Sequence, residues 1–140
     1  MSDRVLIDAG PIVALFSPDD EHHARCIEAL DSLTVPFSTC WPVIAEAAYL
    51  LRKRPDSIAR MLAGFAGGFF SLLHLDVEDV PPIAAIMRRY EDIGLQLADA
   101  TFAHLADREG IRTIFTLDRR DFSIIRLKRN RLLRLIPDVQ

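Results

Sequence analysis

Cysteine is scarce in this 140-residue chain. Cys26 and Cys40 are the only two, and they stand apart, too far from each other for the paired-Cys spacing of a zinc site. This argues against a disulfide framework and against structural zinc. Long apolar runs are missing as well: each candidate is broken by Arg, Asp, Pro or paired Gly before the roughly 18 residues needed to span a bilayer. No Gly-rich phosphate loop of the dinucleotide or nucleoside-triphosphate type occurs, which argues against nucleotide-cofactor enzymes. Repeats, low-complexity tracts and long linkers are absent, and Met1-Ser2-Asp3-Arg4 leads straight into structure rather than into a secretion signal. The expectation is a cytoplasmic protein with no membrane segment, forming one domain over residues 1–140.

Half of the residues are hydrophobic, enough for a core without staples. The net charge of -3 is unevenly spread. From Ile111 to Gln140, eight basic residues oppose three acidic ones, leaving that segment at +5 and the remainder at -8. A basic segment on an acidic body suits a phosphate backbone while leaving acids free to hold cations, although a solvated surface has the same composition.

Short β-branched and aliphatic runs alternate with helical patterns. Val5-Leu6-Ile7 ends at Asp8, and Ala9-Gly10-Pro11 turns into an apolar helix. Asp19-Asp20 offers an N-cap for a helix carrying Ala24, Ile27, Leu30 and Leu33. Pro36 to Cys40 reads as a second strand, followed by a helix from about Trp41 to Lys53 that Pro55 stops. Asp56-Ser57 caps a helix from Ile58 to about Phe65, and a third strand lies within Phe69 to Leu75. Pro81-Pro82 opens a helix to about Ile93, ended by Gly94, and Leu97 starts another that Gly110 closes. Thr113 to Leu117 is a fourth strand ending at Asp118, and Leu132 to Ile136 a fifth. This order predicts an α/β fold: a three-layer α/β/α sandwich around a five-stranded, parallel, twisted sheet.

Ligands of open α/β sheets bind beyond the carboxyl ends of the strands. Asp8 and Asp118 are predicted at two such ends, Glu46 in the first turns of an apolar helix entering from that edge, and Asp99 at the start of another. Four acids in one small space repel each other unless divalent cations neutralise them, and oxygen-only ligation suits Mg2+ or Mn2+. Such a cation offsets charge on a scissile phosphate, so in-line phosphodiester hydrolysis is the predicted chemistry. Taken singly, Asp8, Asp99 and Asp118 read by preference as helix N-caps, whereas the reading of Glu46 as the partner of a structural Arg is the lesser one, since buried acids are rare unless paired.

Four stretches, Leu6-Ile7-Asp8-Ala9-Gly10-Pro11, Pro42-Val43-Ile44-Ala45-Glu46-Ala47, Leu97-Ala98-Asp99-Ala100 and Thr116-Leu117-Asp118-Arg119-Arg120-Asp121-Phe122, run in this order over nearly the whole chain. Together they resemble the PIN-domain family, in particular the VapC-like ribonuclease toxins of bacterial toxin–antitoxin pairs. The resemblance implies that Asp8, Glu46, Asp99 and Asp118 form a catalytic acidic quartet holding Mg2+ or Mn2+, with Thr116 as a supporting hydroxyl. It also implies an RNA substrate, a small antitoxin partner and a homodimer.

Other residues have two readings each. Asp121 is an outer ligand or, by preference, a turn cap or a partner of Arg119. Arg119 and Arg120 adjoin Asp118 and are candidates for substrate phosphates. His22 and His23 are expected on the surface, and His104 in packing. Trp41 and Phe69-Phe70 offer stacking faces for bases, with core packing as the expectation. A receiver domain of similar size is a rival: Asp76 follows the third strand, but paired acids after the first strand and a late Lys are missing. A phosphatase of the haloacid-dehalogenase type needs a second Asp where Gly10 stands. A PIN-like RNA-processing nuclease outside a toxin system, and a binding module without turnover, remain as alternatives.

Overall fold

Val5, Leu6 and Ile7 are all buried, as residues of a strand covered on both faces must be. They form β1 (Val5–Ile7), the centre of a five-stranded parallel sheet with β2 (Phe37–Thr39), β3 (Phe70–Leu72), β4 (Thr113–Phe115) and β5 (Arg134–Ile136), in the order β3-β2-β1-β4-β5. The computed structural model describes residues 4–137, so Met1, Ser2 and Asp3 of the expected start and Asp138 of the basic segment lie outside the described residues. Helices α1 (Ala9–Phe16), α2 (His23–Leu30), α3 (Trp41–Leu50) and α4 (Pro55–Ala66) follow β1 and β2. Helices α5 (Val80–Arg89) and α6 (Leu97–Glu109) join β3 to β4, and α7 (Arg119–Ile124) joins β4 to β5.

The chain steps outward from β1 to β3, then crosses back to β4 beside β1. Right-handed crossovers therefore put α1–α4 on one face and α5–α7 on the other, giving the three expected layers. Contacts agree: α1 touches α2, α3 and α4, and α5 lies along α6. The reversal makes the β1/β4 boundary the switch point of the sheet, where a crevice opens at the strand ends. A receiver domain has the different strand order 2-1-3-4-5, so that rival is excluded. Asp76, its candidate phosphorylation site, instead caps the short 3-10 turn Val77–Asp79.

The core runs through Phe37, whose ring meets Phe69 and Phe115 edge-on at 5.3 and 6.0 Å. Phe70 is buried beside Phe65 at 5.1 Å, so the Phe69-Phe70 pair packs as expected.

Several boundaries differ from the expected ones. The fourth strand stops at Phe115 because Asp118 N–H bonds to the Thr116 hydroxyl instead of continuing a ladder. Residues 119–124 then form α7, a helix not expected. Pro55 both follows one helix and opens the next, as the first helical residue of α4. Helix α3 ends at Leu50, and α5 at Arg89, after which a 3-10 turn, Glu91–Ile93, leads to the left-handed Gly94.

Candidate active site

Two main-chain elements and one hydroxyl fix Asp8. It is the N-cap of α1, its Oδ1 accepts the Ala9 N–H at 2.9 Å, and its Oδ2 accepts the Thr116 hydroxyl at 2.9 Å. Thr116 is fully buried and in turn accepts the Asp118 N–H at 3.0 Å. One hydroxyl thus ties the end of β1 to the start of α7 across the switch point. Asp8 thus caps α1 and stands directly after β1, at the carboxyl edge of the sheet.

Asp99 lies in the first turn of α6 and is 9% exposed. Its carboxylate has no hydrogen-bond or ion-pair partner among the described residues, so it is not a cap. One oxygen each of Asp99, Asp118 and Asp121 lie within 4.8 Å of one another. Asp118 occupies the N-cap position of α7 without making the side-chain capping bond, leaving its carboxylate free to face the others. Asp121 belongs to this trio rather than pairing with Arg119, whose Nη1 donates to the Pro137 carbonyl at 2.5 Å. Arg119 is therefore committed to the chain near β5, whereas Arg120 is exposed and its side chain has no partner among the described residues.

Glu46 departs from expectation. Helix α3 buries Val43, Ile44 and Ala47, and Glu46 falls on its exposed side despite the apolar neighbours in sequence. It has no Arg partner among the described residues. Its charge still reaches the crevice, because it raises the pKa of both Asp8 and Asp99.

These acids strain one another electrostatically. Burial, above all, raises Asp8 to about 6; the Ala9 and Thr116 bonds work against this, and Glu46 and Asp118 add to it. Asp99 is raised to about 7, first by burial and then by Asp8, Asp118, Asp121 and Glu46. No Lys or Arg forms an ion pair with any of the five acids among the described residues. The site therefore gathers negative charge without a protein counter-charge, and a hard divalent cation fits its oxygen-only donor set. Neither cysteine belongs to this trio among the described residues, and burial pushes the Cys40 thiol up to about 12 and the Cys26 thiol up to about 11.

Sequence reasoning underrated Asp121. The Asp118/Asp121 spacing of three is the signal, since i and i+3 share a helix face once 119–124 is helical. Trp41 was expected in the core, yet it is 60% exposed and lies on Phe65 at 6.4 Å with a 26° tilt between rings. His104 does pack: its Nε2 meets Asp79 Oδ1 at 2.7 Å. Arg108 Nη1 donates to both oxygens of the same carboxylate at 3.1 Å. The Asp76 N–H bond foremost, then the His104 bond, pull Asp79 down to about 2. His23 is half-buried rather than on the surface, and its Nδ1 meets the Ala14 carbonyl at 2.7 Å.

The chain is similar to known proteins in sequence and in fold. The chain is 35% identical to Ribonuclease VapC26 of Mycobacterium tuberculosis over 124 residues, 87% of this chain and 92% of that protein. Its fold matches the crystal structure of Mycobacterium tuberculosis VapC20, described as a sarcin-ricin loop cleaving toxin, with a TM-score of 0.75 at 17% identity over 82% of this chain and 90% of the other. A toxin–antitoxin complex from Klebsiella pneumoniae gives 0.68 at 18% identity, over 86% of this chain and 92% of the other. The sequence model of the PIN domain matches residues 5–128, a span that holds every acid of the crevice, and the chain belongs to the PIN domain family.

Proposed function

We propose that this protein is a Mg2+- or Mn2+-dependent endoribonuclease that hydrolyses RNA phosphodiester bonds, and that it is the toxin of a toxin–antitoxin pair. The observation that carries the reading is the gathering of Asp8, Glu46, Asp99, Asp118 and Asp121 at one crevice with no basic partner, in a chain similar to a ribonuclease over most of its length. Asp99, Asp118 and Asp121 hold the cation, with Asp8 and Glu46 completing the acidic wall. When bound, the cation supplies Lewis-acid charge opposite the scissile phosphate. Thr116 keeps Asp8 aimed into the crevice by occupying its Oδ2. The proton that Asp99 retains up to about pH 7 must leave before its oxygens can serve as ligands, so cation binding and deprotonation are coupled. Arg120, exposed beside Asp118, contacts a substrate phosphate, while Arg119 acts indirectly by fixing the segment that carries both residues. A small antitoxin protein, a homodimeric assembly and a cytoplasmic setting belong to the same reading.

Purified protein incubated with structured RNA should cleave it with Mg2+ and stop when a chelator is added. Asp8→Asn and Asp99→Asn should each lower the rate about 100-fold or more with the fold retained. Cleavage at the wild-type rate in chelator, or by either variant, overturns the assignment. In cells, induced expression should arrest growth and co-expression of a small protein encoded beside it should relieve the arrest.

A further inference from the structure

Helices α6 and α7 both lead away from the acid crevice, and they lead to the same place. On α6, Ala103 and Asp107 follow Asp99 at one and two turns, about 6 and 12 Å along the axis. From α7, Ile125 follows Asp121 by four residues. Ala103, Asp107 and Ile125 line an open cavity of about 540 Å3 between α5, α6 and residues 125–130. Its walls are apolar where Pro82, Ile86, Ala103, Ile125 and Leu127 meet. Its rim is cationic, formed by Arg89, Arg126, Lys128 and Arg129, all exposed and all with side chains that have no partner among the described residues. The acid in the cavity is already occupied: Asp107 accepts the Lys128 N–H at 3.1 and 3.2 Å and lies 3.8 Å from Arg131. Arg129 and Asn130 hold this rim in left-handed backbone, with φ of 63° and 59°, a conformation that Asn adopts readily and Arg seldom does.

We propose that this cavity is a second RNA subsite, which takes the base of a nucleotide flanking the scissile bond against its apolar walls and that nucleotide's phosphate on Arg89 and Arg126. An apolar slot ringed by guanidinium forks matches an unstacked base joined to a phosphate. Its position on the two helices that leave the acid cluster puts it on the path of the same strand. An acidic peptide shares only the charge half of that match. The inference rests on the ribonuclease reading and deepens it from the reacting bond to the recognition of its neighbours.

Two full-chain variants test it: Arg89→Ala with Arg126→Ala, which removes rim charge from exposed, partnerless positions, and Ala85→Phe, which fills the cavity from an exposed position on α5 without changing charge. The probe is a labelled single-stranded RNA oligomer of mixed sequence, bound in chelator over a salt series, with steady-state cleavage measured separately in Mg2+. The double variant should weaken binding about ten-fold and flatten the salt slope by about 0.7 for the one phosphate that both arginines neutralise. Ala85→Phe should raise KM about ten-fold with kcat held within about two-fold. Wild-type affinity, slope and KM in both variants, in a protein that cleaves RNA, overturn the subsite and leave the nuclease standing. Weakened oligomer binding by the variants of a protein that fails to cleave overturns the nuclease reading and, with it, the place of this cavity beside a scissile bond. A glutamate-rich peptide whose binding needs these arginines while RNA binding does not also overturns the proposal.

Discussion

Asp99 carries a proton at a pH where a free aspartate has long lost it, because burial and four neighbouring acids oppose its charge. That has a sign for stability. Between the unfolded value near 3.8 and the folded value near 7 the native state binds the extra proton, so without metal the stability falls as pH rises through this window and levels off above it. Asp8, raised to about 6, adds to the fall in the same direction. Thermal melts in chelator should therefore show a higher Tm at pH 5 than at pH 8, and Asp99→Asn should flatten the profile; a Tm that rises from pH 5 to 8 contradicts the crowding of these acids. At this scale residue types were legible and environments were not. An aspartate after an apolar strand marks a site candidate in the sequence itself. The exposure of Glu46, the freedom of Asp121 from Arg119 and the exposure of Trp41 depend on which helix face turns outward. Apolar neighbours in the chain do not decide that, because on a helix they point elsewhere.

At the level of elements, the longest helix of the site depends on a single glycine. Gly110 ends α6 in the left-handed region at φ 69°, where its N–H closes the helix on Ala106 and the chain turns back into β4. A Cβ there meets no atom within 4 Å, so the cost of a side chain is conformational. Gly110→Ala should destabilise the protein by about 1 kcal/mol in a denaturant titration, through a lower midpoint with unchanged slope. An unchanged midpoint contradicts the capping role. Glycine and proline made most element ends readable: Pro11, Pro42, Pro55 and Pro81 all stand in the first turn of a helix. Helix α7 was not readable, because six residues are too few to display a period. The end of β4 was hidden for another reason: the Thr116 side chain replaces a backbone ladder there, and apolar Leu117 continues the strand-like pattern beyond it.

For the molecule as a whole, the proposed function makes metal binding and folding one equilibrium. On the proposed reading, a cation would bind only where strands and helices have brought the five carboxylates together, and would stabilise the folded state by mass action, by about 2.7 kcal/mol at one hundred times its dissociation constant. At pH 8, Mg2+ should raise the Tm of the wild type well beyond the effect of NaCl at equal ionic strength, and Asp99→Asn should lose most of that shift. Equal shifts from both salts contradict a specific site.

What the sequence determined by itself is the architecture: strands of buried aliphatic residues alternating with capped amphipathic helices leave few arrangements other than a parallel sheet between two helical layers. Acids at strand ends and helix starts follow from the same local signals. Only the tertiary structure decided that β4 lies beside β1, which brings Thr116 to Asp8 across 108 positions of chain. It alone set Asp121 with Asp99 and Asp118, turned Glu46 outward, and ran α6 and α7 from the acids to a basic cavity. The physical reason is one of range: caps, turns and periodicity act over a few residues, whereas a charge feels whatever the fold places within a few ångströms of it.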